Sequence, residues 1–136
     1  MFKKIIVVCT GNICRSPMAE GILKAKLPGD FRIGSAGIAA VVGDPATDDA
    51  QAVMTAHGYD IAAHRARQAT QTMLGAADLI LTMDQSHNDW INKRYPQFRG
   101  RVHKLLKWNE NHDVDDPYMM SRSFFVYILS SGLHGT

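Results

Sequence analysis

Cysteine is scarce: there are only two in 136 residues, Cys9 and Cys14, and both fall in one short segment. That excludes a disulfide-rich secreted scaffold, which needs several cysteines spread along the chain. Proline (5) and glycine (11) are too few for a collagen-like or low-complexity chain. Neither sign of charge dominates, since 15 Lys and Arg stand against 13 Asp and Glu, a formal net charge of +2. Nucleic acid is therefore not an expected partner. Long hydrophobic runs are missing as well. The longest purely apolar stretch, Phe124 to Leu129, is far below the roughly 20 residues of a membrane span, so no membrane insertion is expected. Met1-Phe2-Lys3-Lys4 leads through Ile5 to Val8 straight into a polar turn, without the long apolar core and cleavage site of a secretory signal. The expected compartment is the cytoplasm, where thiols stay reduced.

What is present is an ordinary globular composition, 46% hydrophobic and 21% charged, long enough for one domain over residues 1–136. Ile5 to Val8 reads as a strand buried on both faces. Ser16 and Pro17 read as the cap and first residue of a helix that stops at Pro28-Gly29. Phe31 to Gly37 reads as a second strand, and Asp44-Pro45 as the start of a helix ending near Gly58. Asp78 to Met83 reads as a third strand, then a helix from about Asp84 to Tyr95, and Val102 to Leu106 as a fourth strand. This alternation predicts an α/β domain of three layers, a central four-stranded parallel sheet with helices on both faces.

In such sheets ligands bind at the carboxyl ends of the strands, where the Cys9 to Ser16 loop lies. A short strand-to-helix loop can curl its N–H groups inward into an anion nest, reinforced by the helix dipole. Gly11 and Asn12 tolerate the positive φ that such curling needs. The loop lacks the lysine of a nucleotide-binding glycine loop. It begins instead with a thiol and ends with Arg15, whose planar fork holds two phosphate oxygens at once. An electropositive nest favours the thiolate of Cys9, a nucleophile toward phosphorus. A core cysteine and a solvated arginine are the plainer explanation of each residue alone. The spacing of Cys, five residues, Arg and Ser between strand and helix argues against it.

The run Val8-Cys9-Thr10-Gly11-Asn12-Ile13-Cys14-Arg15-Ser16-Pro17-Met18-Ala19-Glu20 resembles the signature loop of the low-molecular-weight protein tyrosine phosphatases. The resemblance continues in Ser35-Ala36-Gly37, His64 to Gln68, Leu79 to Asp84 and Asp116-Pro117-Tyr118, covering about residues 1–121 in order. Among the branches of that family, the loop Ser35 to Gly43, with Val41 where some members carry an aromatic residue, resembles the bacterial capsule- and exopolysaccharide-associated type. The resemblance implies a phosphotyrosine protein as substrate, and as partner an autophosphorylating tyrosine kinase of polysaccharide export or biofilm regulation.

A phosphatase also needs an acid for its leaving group. Asp113, Asp115 and Asp116 compete for that role in the acidic turn before Tyr118. The resemblance assigns it to Asp116, with Tyr118 as an aromatic wall. It makes Cys9, Arg15 and Asp116 catalytic. It makes Thr10, Gly11, Asn12, Ile13, Cys14, Val41 and Tyr118 substrate-binding, and it pairs Asn12 with His64 as a lock on the loop. Ser16 is expected to hydrogen-bond the Cys9 thiolate. No metal or other cofactor is expected, since the nest and Arg15 carry the positive charge. Cys14 is also a candidate for a reversible redox bond with Cys9.

Two relatives in chemistry compete. Arsenate reductases of related fold relay oxidation through further cysteines, which this chain lacks. Arginine-phosphate phosphatases carry a threonine where this loop has Ile13, which favours an aromatic substrate. The tail departs from the family pattern: Ser121 to Gly132 reads as a final helix about two residues short within and roughly ten short at its end. Two deleted residues turn a helix face by about 200°.

Overall fold

The first apolar run becomes β1 (Lys4–Cys9), buried from Ile5 to Cys9. Its side chains alternate between two cores. Ile5, Val7 and Cys9 pack with Met18, Ile22 and Leu23 of α1 (Arg15–Lys26) and Met54 of α2 (Asp48–Ala56). Ile6 and Val8 pack on the opposite face with Leu74 of α3 (Gln71–Gly75) and Ile91 of α4 (Gln85–Arg94). A strand covered on both faces must be apolar at every position, which is why the run does not alternate. These assignments come from a computed structural model that describes residues 4–27 and 29–104.

β2 (Arg32–Gly37), β3 (Leu79–Thr82) and β4 (Val102–Lys104) complete a four-stranded sheet of order β2-β1-β3-β4, parallel at every pairing. From β1 the chain first crosses to β2 on one side and then to β3 on the other. The order therefore reverses at β1, and a crevice opens beyond the carboxyl ends of β1 and β3. The loop after β1 and the start of α4 after β3 meet there.

Some boundaries differ from the sequence reading for identifiable reasons. Ser16 does not cap α1: the helix starts at Arg15 with Cys14 as N-cap and no side-chain cap bond. The Ser16 hydroxyl is engaged with Cys9 and Asn12 instead. Pro17 still falls in the first turn, where its missing N–H removes no helical bond. Asp44-Pro45 does not open α2 either. Asp44 is held in the preceding loop, its N–H donating to the Val41 carbonyl and its carbonyl accepting from Ala66, and Thr47 caps the helix at 3.1 Å from the Ala50 N. The short α3, capped by Thr70, is an element that the sequence reading lacks. A 3-10 turn over Pro96–Arg101 leads into β4. Among the described residues no helix is long and apolar enough to cross a membrane. Leu105, Leu106, Asp116, Tyr118 and the segment 121–132 lie outside the described residues.

Candidate active site

The loop from Cys9 to Arg15 turns its carbonyl groups outward. Ile38 donates to the Cys9 carbonyl at 3.0 Å, Ala39 to Thr10 at 2.9 Å, Val41 to Gly11 at 3.1 Å, Thr47 to Ile13 at 2.7 Å and Met18 to Cys14 at 3.3 Å. The Asn12 carbonyl accepts from His64 Nε2 at 2.6 Å, so that nitrogen carries the proton. With the carbonyls engaged outside, the N–H groups of residues 10–14 face inward, and they donate to no described protein group. That is an anion nest at the start of a helix. Asn12 makes the turn possible with φ of 60°, in the left-handed region that asparagine tolerates. Gly37 backs it so closely that a Cβ there would meet the Thr10 carbonyl oxygen.

Behind the nest runs a buried polar chain. Asn12 Nδ2 donates to Ser16 Oγ at 2.8 Å and to Ser35 Oγ at 2.9 Å, and its Oδ1 accepts the Arg67 N–H at 2.8 Å. Since Ser16 Oγ accepts from the amide, its own proton is free for Cys9 Sγ, 2.8 Å away. Ser35 Oγ in turn donates a hydrogen bond to one Glu20 oxygen, and the other pairs with Lys24 at 2.6 Å.

On the opposite side stands Arg15. Its NH1 lies 3.3 Å from Asp84 Oδ2, at the entrance to α4. Asp84 caps that helix with its other oxygen, which accepts from the Ser86 N–H at 2.9 Å and the His87 N–H at 3.3 Å. Burial alone would raise the Asp84 carboxyl. The Ser86 hydroxyl, the Arg15 charge and the His87 backbone N–H outweigh it and hold the group below its ordinary value.

Most of the residues singled out from sequence meet here. The Ile13 and Val41 side chains lie beside Gly11, within 3.4 and 3.7 Å of where a Cβ would stand, and Val41 is 44% exposed. Cys14 packs against the first core, where burial pushes its thiol up against a hydrogen bond with Thr47. Asp116 and Tyr118, outside the described residues, are not placed. Sequence reasoning assigned no role to Glu20, Ser35, Asp84 or His87, although the first three stand in segments that carry the family resemblance. The available signal was local: Asp84 followed three residues later by His87 is a capping-box spacing.

Residues 4–131 match the family described as low molecular weight phosphotyrosine protein phosphatase. The chain is 47% identical over 125 residues to "Probable low molecular weight protein-tyrosine-phosphatase EpsP" of Ralstonia nicotianae, covering 92% of this chain and 85% of that one. The tyrosine phosphatase AmsI of Erwinia amylovora superposes with a TM-score of 0.84 at 36% identity, covering 95% of this chain and 88% of that one. The YwlE arginine phosphatase of Geobacillus stearothermophilus superposes with a TM-score of 0.85 at 31% identity, covering 93% and 88%. An outward-turned loop between a buried cysteine and a carboxylate-held arginine, on a sheet shared with these enzymes, makes this chain a member of the low molecular weight phosphotyrosine protein phosphatases.

Proposed function

We propose that the protein-tyrosine-phosphatase activity of this chain runs through a cysteinyl-phosphate on Cys9, within one domain over residues 1–136. The observation that carries this reading is the inward set of loop N–H groups between Cys9 and Arg15, with the Ser16 hydroxyl on the sulfur. The Cys9 thiolate attacks phosphorus and the bond to the phenolic oxygen breaks, while Asp116 gives that oxygen its proton. The loop N–H groups and Arg15 stabilise the equatorial oxygens. Asp116, now a carboxylate, takes a proton from the attacking water. Inorganic phosphate leaves and the Cys9 thiolate returns.

Ile13 and Val41 beside Gly11 favour a flat phenyl ring over a guanidinium, with Tyr118 as a further wall. The likeness to an arginine phosphatase makes phosphoarginine the comparison substrate. The substrate in the cell is a phosphotyrosine protein of the cytoplasm, an autophosphorylating tyrosine kinase of polysaccharide export or biofilm regulation. Where peroxide oxidises the Cys9 thiolate to the sulfenic acid, the Cys14 thiol in the same loop can displace water from it and close a disulfide, which an external thiol reduces.

The test is hydrolysis of phosphotyrosine and phosphoarginine peptides by the parent, Cys9→Ser and Asp116→Asn proteins. Expected are turnover of phosphotyrosine over phosphoarginine, none with Cys9→Ser, and a loss of about 10²-fold or more in kcat with Asp116→Asn. Preference for phosphoarginine overturns the substrate, and an active Cys9→Ser protein overturns the mechanism.

A further inference from the structure

His87 has no part in the chemistry above, yet its side chain is fully buried beside the loop. Its two ring nitrogens serve different elements. Nδ1 lies 3.2 Å from the Asp84 backbone nitrogen, which can only donate, so Nδ1 accepts and carries no proton. In the neutral ring the proton therefore sits on Nε2, 3.0 Å from Thr10 Oγ1. Nε2 donates and the Thr10 hydroxyl accepts.

Asp84 is also the carboxylate that holds Arg15. One imidazole thus ties together the residue next to Cys9, 77 residues away in sequence, and the partner of Arg15. A capping box needs only an acceptor at this helix position, usually Glu or Gln. Those side chains carry their polar atoms at one end. Imidazole carries an acceptor and a donor on opposite edges of a rigid ring, which the second bond to Thr10 requires.

The geometry points to His87 as a positioning residue of the reaction: it fixes Thr10 directly and Arg15 through Asp84, so that both ends of the loop keep their spacing around the phosphoryl group. This rests on the reading of the loop as a phosphoryl cradle.

The experiment is steady-state kinetics on p-nitrophenyl phosphate with thermal melts, for the parent, His87→Gln, Thr10→Val and the double variant. His87→Gln keeps an acceptor for the Asp84 N–H and melts close to the parent. Its kcat falls about tenfold while KM changes less than about twofold, as for a misplaced transition-state contact. Thr10→Val, an exposed and nearly isosteric change, gives a similar fall without touching the cap. The double variant loses no more than either single one, because both break the same link. Parental kcat in folded His87→Gln or in Thr10→Val overturns the inference, and so do losses that multiply in the double variant. A parent without aryl-phosphatase activity overturns the cradle reading itself, and the inference with it.

Discussion

On the Cys9 side of the loop the groups that fix the backbone are sealed from water: Asn12 and Ser16 are 0% exposed and Ser35 is 1% exposed. On the Arg15 side the side chains of Arg15 and Asp84 remain 18% and 21% exposed. The first side is a chain of neutral hydroxyl and amide groups in which each bond sets the direction of the next. The second is built on an ion pair at a helix start. A buried polar network is costly to break, since every orphaned group has lost its water. A partly solvated ion pair contributes little to stability, and its value lies in where it puts the charge. Cys9 thus sits among groups sealed by the fold, whereas Arg15 meets its carboxylate at a partly solvated contact.

Asn12→Ala attacks the sealed side and should have the largest effect. It removes the bonds to Ser16, Ser35 and the Arg67 N–H and puts alanine at a positive φ. Stability should drop by about 3 kcal/mol in urea unfolding, with activity down about 10²-fold or more. A variant that keeps parental stability would show that the buried chain is not what holds the loop.

Asp84→Asn attacks the other side, and the two readouts should separate. Asparagine still caps α4, so stability should fall by less than about 1 kcal/mol, while kcat falls about tenfold. The pH dependence has a definite sign. The folded carboxyl lies below its ordinary value, so its contribution is present above the unfolded carboxylate value and lost as pH falls through the folded one. The small urea-midpoint gap between parent and Asp84→Asn should therefore close below about pH 4. A gap that widens on acidification would reverse the electrostatic assignment.

Thr70→Ala touches neither side and gives the smallest effect on activity. Thr70 Oγ1 accepts from Met73 N at 3.2 Å, so the loss is that of one helix cap, about 1 kcal/mol, with kcat unchanged. Loss of activity in this variant would mean that general destabilisation, rather than either side of the loop, governs turnover.

Much of this was legible in sequence where the cause is local. The buried strand, the thiol-to-arginine spacing and the turn at Gly11-Asn12 each follow from neighbours along the chain. What stayed hidden depends on distant partners. Ser16 before Pro17 carries a helix-cap signal, but the hydroxyl is claimed by Cys9 and Asn12, so tertiary demand overrides the local preference. Asn12 meets Arg67 across 55 residues and Thr10 meets His87 across 77, and no periodicity encodes either pairing. The five-residue α3 is too short to leave a periodic apolar stripe.

The central claim is that Cys9 carries the phosphoryl group during turnover. Acid quench of the parent during hydrolysis of a phosphotyrosine peptide, followed by peptide mass mapping, tests it directly. The account predicts phosphate on the Cys9 peptide in the parent and none in Cys9→Ser. Phosphate trapped on another residue, or steady turnover by Cys9→Ser, would contradict it.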